Sequence, residues 1–101
     1  MNVSEDIQST LQNLSTEPGV YRFYDNKEGL LYVGKAKNLK RRVSSYFKTK
    51  HDSFKTTYMV RKIHRIEILV VETEMDALLL ENNLIKKYQP RYNILLKDDK
   101  T

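Results

Sequence analysis

Cysteine and tryptophan are both absent from the 101 residues. Without cysteine there can be neither a disulfide framework nor a thiolate metal site. The same absence fits a reducing, cytoplasmic setting. Long apolar segments are missing too. The uninterrupted aliphatic runs Ile68 to Val71 and Ala77 to Leu80 stop at four residues, far short of the ~20 that a membrane-spanning helix needs. The N-terminal stretch MNVSEDIQSTLQ lacks the basic-then-apolar order of a secretory signal. No glycine-rich phosphate loop of the Walker type occurs, so the chain offers no case for nucleotide hydrolysis. There is no repeat and no low-complexity stretch. His51 and His64 have no metal-ligand spacing and receive no role. The length fits one small domain, residues 1–101, with one modest core.

Positive charge is abundant. The formal net charge is +5, and its placement is uneven. Lys35, Lys37, Lys40, Arg41, Arg42, Lys48 and Lys50 fall within sixteen residues, and Lys86, Lys87, Arg91 and Lys97 form a second group. Clustered cations suit a polyanion, because each neutralised phosphate releases condensed counterions. A solvated basic face or an anionic membrane surface would use the same composition.

Hydrophobic periodicity places the elements. Ile7, Leu11 and Leu14 recur at helical spacing, which predicts a short helix over 4–14. VYRFYD (20–25) and LLYV (30–33), joined by Asn26-Lys27-Glu28-Gly29, read as a β-hairpin whose second strand ends at Gly34. A helix over 38–47 would turn Leu39, Val43 and Phe47 to the core and make Arg42 and Tyr46 surface neighbours. A helix over 54–64 follows, with Met59 and Ile63 as its apolar pair. IEILVVE (66–72) is a strand. Thr73 caps a final helix that runs to about Tyr88 and stops before Pro90. The order predicts a small α/β domain with three strands.

On a wheel of the final helix, at roughly 100° per residue, Leu80, Leu84, Ala77, Tyr88, Ile85 and Leu78 make a continuous apolar arc. Glu81 lies inside that arc. A core-facing carboxylate is costly to desolvate unless it is paired, reaches water or binds a cation. An internal ion pair and a cleft-lining metal ligand are both open on this pattern. Mg²⁺ is commonly held by one or two carboxylates.

Seven tyrosines stand out in a chain without tryptophan. Tyr21 and Tyr32, on the two hairpin strands, are placed to meet across the sheet. Tyr24 and Tyr58 read as packing residues, and Tyr88 and Tyr92 as packing beneath the last helix. Tyr32 precedes Gly34 and Lys35, where backbone can come close to a ligand. A phenol beside cationic groups sheds its proton more readily and could serve as a general base. Arg42 offers a planar fork to a phosphate, and Tyr46, one turn on, can add a hydrogen bond.

These residues also carry a resemblance. Gly19-Val20-Tyr21 and Tyr32-Val33-Gly34 resemble the signature of the GIY-YIG nucleases, with Val20 and Val33 where the family name has isoleucine. Gly34-Lys35-Ala36-Lys37-Asn38-Leu39, Arg42, Tyr46, Glu81-Asn82-Asn83-Leu84-Ile85-Lys86 and Pro90-Arg91-Tyr92-Asn93 extend the match over essentially the whole chain. The stretch from Leu78 onward resembles the UvrC-type members that act in bacterial nucleotide excision repair. The resemblance implies an α+β GIY-YIG fold with a mainly antiparallel three-stranded sheet flanked by helices. It implies Tyr32 as general base or water-orienting group. Glu81 would hold one divalent metal ion, Mg²⁺ or Mn²⁺. Arg42 and Tyr46 would contact the scissile phosphate, Lys35 and Tyr21 would complete the hydrogen-bonded site, and Asn93 would shape it. Lys35, Lys37, Lys40, Arg41 and Arg42 are the candidate DNA contacts. The implied substrate is damaged double-stranded DNA, cut 3′ to the lesion in the cytoplasm. UvrB would be engaged through parts of the longer protein. On that basis the chain reads as an excised, monomeric N-terminal domain. A GIY-YIG nuclease outside excision repair and a non-catalytic DNA-binding module are the alternatives.

Overall fold

The computed structural model describes residues 5–48, 51 and 53–97. Ser4, the start of the expected first helix, and Lys50 of the basic run lie outside them. Eight elements follow in order: α1 (Glu5–Gln12), β1 (Gly19–Tyr24), β2 (Leu30–Ala36), α2 (Leu39–Ser45), α3 (Phe54–Lys62), β3 (Arg65–Val70), α4 (Glu74–Tyr88) and α5 (Arg91–Lys97). The strands form one sheet in the order β2-β1-β3, antiparallel throughout.

The sheet separates two apolar layers because side chains alternate across it. Tyr21 and Phe23 of β1 point to one face, where Leu39 and Val43 of α2, Met59 and Val60 of α3, Ile7 of α1 and Tyr92 of α5 close the main core. Val20 and Val33 point to the other face and meet Ala77 of α4, with Leu80, Leu84 and Ile85 around them. Leu39 and Val43 are fully buried and Phe47 partly so, which follows their four-residue spacing.

Local signals set most boundaries. The Asn38 side chain accepts from the Arg41 amide at 3.0 Å and starts α2. Thr73 Oγ1 does the same for Asp76 at 3.0 Å and starts α4. In the hairpin turn, Asp25 Oδ1 accepts from the Lys27 and Gly29 amides at 2.9 and 2.8 Å. The left-handed residue there is Glu28, with φ 63°, and not Gly29.

Several elements differ from the pattern-based expectation. β2 does not end at Gly34 but runs on to Ala36, paired with Gly19. Tyr21 does not face Tyr32 directly. Its partner is Gly34, and Tyr32 faces Phe23, so the two tyrosines meet on the diagonal. Tyr88 is 51 % exposed and does not pack beneath the helix. Tyr58 sits on the outer face of α3, exposed, and Tyr24 carries the Arg65 guanidinium over its ring at 4.2 Å. The helix after Pro90 was not anticipated. It is short, yet Tyr92, Leu95 and Leu96 all turn to the main core.

Candidate functional site

The hairpin positions a cluster of rings. Tyr21, Tyr32 and Tyr46 have centroids 5.7 to 6.3 Å apart, and Phe23 packs 5.1 Å from Tyr46 and 5.2 Å from Tyr21. Tyr21 is buried, with its hydroxyl 2.8 Å from that of Tyr46. Its ring lies directly on the backbone of Gly34, where a Cβ would come within 2.3 Å of the ring. Glycine is therefore needed at 34 to admit Tyr21. The close approach predicted there is made by a side chain of the protein itself.

Arg42 projects from α2 beside the rings. Its guanidinium donates to the Tyr46 hydroxyl at 3.4 Å and lies 5.3 Å from that ring's centre. Two cavities meet at this point. One, of about 320 Å³, is lined by Tyr32, Arg42, Ser45, Tyr46, His51 and Thr56. The other, an open groove of about 600 Å³, is lined by Lys35, Lys37, Asn38, Arg41 and Arg42. Arg42 and Ser45 belong to both, so the guanidinium stands on the ridge between them.

Glu81 is half-buried on α4. Burial raises its pKa above the ordinary carboxylate value, and the charge and backbone amide of Lys35 pull in the opposite direction. Among the described residues it joins no ion pair within 4 Å, so the internal salt bridge left open by the wheel is not formed there. Nor is there a group of three or more His, Asp or Glu side chains placed to share a metal among those residues. A half-buried carboxylate with no ion pair within 4 Å among the described residues suits a hard, oxygen-seeking cation that takes its remaining ligands from water and phosphate.

The tyrosine hydroxyls are held neutral. Burial pushes Tyr21 up to about 12. Tyr32 is also raised, first by burial, then by Tyr46 and by the charge of Glu81, with only Arg42 opposing. Tyr46 is raised by burial and by Tyr21. The expected easier deprotonation of Tyr32 is thus not met by the protein's own groups, because desolvation outweighs the one nearby guanidinium.

Asn93 reaches the site from α5. Its Oδ1 accepts from the Val33 amide and its Nδ2 donates to the Val33 carbonyl, both at 2.9 Å. β2 is an edge strand, so Asn93 supplies the two bonds that a further strand would make. It clamps the backbone between Tyr32 and Gly34. Lys40 is the predicted contact that stands apart. It does not line the groove, and its Nζ donates to the Gln12 carbonyl at 3.1 Å. Lys37 lies 3.9 Å from Glu74, both side chains being exposed. His51, given no role from sequence, lines the smaller cavity with its Nε2 2.7 Å from the Tyr46 carbonyl oxygen. Only its position near Tyr46 in the chain could have hinted at this.

The antiparallel hairpin and its flanking helices thus bring tyrosines, an arginine and a half-buried carboxylate close to a basic groove in a small α/β domain. The model of the UvrC-like GIY-YIG domain matches residues 17–94, and the chain belongs to that family. It is 60% identical over 101 residues to UvrABC system protein C of Flavobacterium psychrophilum, covering all of this chain and 17% of that protein. It is 60% identical over 98 residues to the protein of the same name from Flavobacterium johnsoniae, covering 97% of this chain and 16% of that one. The chain thus spans about a sixth of the length of these curated relatives. Its fold matches the crystal structure of the GIY-YIG N-terminal endonuclease domain of UvrC from Thermotoga maritima, bound to its catalytic divalent cation, magnesium. That match has a TM-score of 0.79 and 37% identity, and covers 89% of this chain and 98% of that one.

Proposed function

We propose that this chain is a divalent-metal-dependent DNA endonuclease domain that makes the incision 3′ to a lesion in nucleotide excision repair, by hydrolysis of a phosphodiester. The observation that carries the reading is the half-buried carboxylate of Glu81 beside Lys35, a residue that lines the groove whose ridge is Arg42. The relative solved with magnesium supports it, as does the identity with the UvrC proteins. The substrate is damaged double-stranded DNA in the cytoplasm, and UvrB is the partner, engaged by parts of the longer protein.

Glu81 holds the metal. When bound, Mg²⁺ or Mn²⁺ supplies Lewis-acid charge that stabilises the phosphate and leaving oxygen and favours the Tyr32 phenolate. Arg42 cannot lose its proton and offers a planar pair of donors to the non-bridging oxygens, where negative charge grows in the transition state. Tyr46, tied to Tyr21 and Arg42, adds a hydroxyl whose direction is fixed before substrate arrives. Tyr32 orients the attacking water and, as the phenolate with its own proton lost to solvent, takes the water's proton as the bond from phosphorus to the leaving oxygen breaks. Asn93 acts through Val33 as a positioning residue. Lys35, Lys37 and Arg41 hold the strand along the groove, while Lys40 braces α2 against α1.

The test is incision by the full-length protein in its assembled repair complex. Glu81→Ala and Arg42→Ala are expected to remain folded and to abolish 3′ cutting. Tyr32→Phe is expected to slow it by about 10²- to 10⁴-fold, the usual worth of general acid–base catalysis. Full incision by folded Glu81→Ala or Arg42→Ala, or wild-type rates in Tyr32→Phe, would contradict these assignments.

A further inference from the structure

α3 presents two aromatic rings to solvent. Phe54 is 88 % exposed and Tyr58 61 %. They are four residues apart and so share one face of the helix, while Met59 and Val60 fill the buried face. No acidic residue occurs on α3, and Arg61 and Lys62 form its exposed last turn. The helix begins at the catalytic wall. Thr56, in its first turn, and His51 just ahead of it line the cavity shared with Tyr32, Arg42 and Tyr46. At roughly 100° per residue the two rings lie on the side of α3 away from Thr56, with Arg61 and Lys62 beside them.

Flat rings interleaved with cations are the composition that binds single-stranded nucleic acid, the cations tracking phosphates and the rings stacking on bases. A paired duplex keeps its bases stacked on one another and offers the rings little. The charge of this face favours nucleic acid over a protein partner, since protein interface cores are poor in lysine. We propose that Phe54 and Tyr58 form a stacking platform for one or two unpaired bases of a DNA strand that passes over α3 beside the catalytic cavity. This rests on the nuclease reading and extends it. The enzyme would recognise an opened strand beside the cut, not duplex alone.

The test is equilibrium binding of the 101-residue chain, at low salt with a chelator present so that nothing is cut. The corresponding domain of the Thermotoga protein was crystallised on its own, so the unit folds in isolation. Two oligonucleotides are compared, a full duplex and the same duplex with a short unpaired gap, carrying 2-aminopurine in the gap as a stacking reporter. Phe54→Ala and Tyr58→Ala should each weaken binding to the gapped DNA by roughly 5- to 150-fold. They should leave the duplex affinity nearly unchanged and lessen 2-aminopurine quenching, while Phe54→Trp keeps both. Unchanged affinity for gapped DNA, an equal loss on both DNAs, or no binding by the unsubstituted chain overturns the proposal. A defect confined to assembly with the partner proteins also overturns it and marks the face as a protein-docking surface. Both variants keep Tyr32, Arg42 and Glu81, so an incision series on those three residues judges the nuclease reading separately.

Discussion

Glu81 shows how one side chain can be costly to the fold and still suit a proposed role in holding a cation. Its folded-state pKa lies above the ordinary 4.5, so the protonated form is the one the fold prefers. The sign follows directly. Stability linked to this group is full below the ordinary value and falls as pH rises through the raised one. At neutral pH the ionised carboxylate destabilises the metal-free chain. Glu81→Gln, which keeps the shape without the charge, should then melt higher than the unsubstituted chain at pH 7, with the difference vanishing in acid. Added Mg²⁺ should reverse the order. At a hundredfold excess over Kd it stabilises by about 2.7 kcal/mol, roughly 10 °C or more for a domain this small, and only where the carboxylate is present. Thermal melts with and without Mg²⁺ check both halves. A Glu81→Gln variant that melts lower without metal, or gains as much from Mg²⁺, would contradict this account.

At the scale of elements, what was legible in the sequence depended on whether a signal was local. Alternation and turn residues disclosed the hairpin, and four-residue spacing disclosed the buried face of α2. The caps at Asn38 and Thr73 were set by their own neighbours. The diagonal meeting of Tyr21 with Tyr32 was not legible, because it depends on register and on a bulge between Phe23 and Tyr24. Nor was the end of β2, since Gly34 resembles a strand terminator until the ring above it is known. α5 was hidden by Pro90 and by its own shortness. An isolated helix of that length is unstable, and tertiary burial of Tyr92 holds it. Asn93 belongs to the same lesson. The family pattern put it near the site, while its two bonds to an edge strand sixty residues away exist only in the fold. Asn93→Ala would leave both backbone groups of Val33 without these partners, at about 1–3 kcal/mol. The melting temperature should fall by roughly 4–8 °C for each kcal/mol. Wild-type melting in Asn93→Ala would show that the clamp is not needed.

For the whole molecule, the excess of +5 matters less than its distribution. Composition alone made Lys35, Lys37, Lys40, Arg41 and Arg42 equivalent candidates for phosphate contact. The fold separates them by turning Lys40 to the end of α1 and the others to the groove. Each phosphate contact contributes about −0.9 to the slope of log affinity against log salt for duplex DNA. Four groove cations predict a slope of about −3.6 on that scale. Arg41→Ala should reduce its magnitude by about 0.9, and Lys40→Ala should not change it. Equal effects of the two substitutions in a salt titration would mean that the groove does not define the footprint. The same geometry would bring a polyanion held in the groove to Arg42, where the basic groove meets the aromatic cavity.

The proposed single metal on a single carboxylate can be located by anomalous diffraction from crystals soaked in Mn²⁺. One Mn²⁺ peak is expected within ligand distance of the Glu81 carboxylate, lost in Glu81→Gln. A peak elsewhere, or one that persists without the carboxylate, would contradict it.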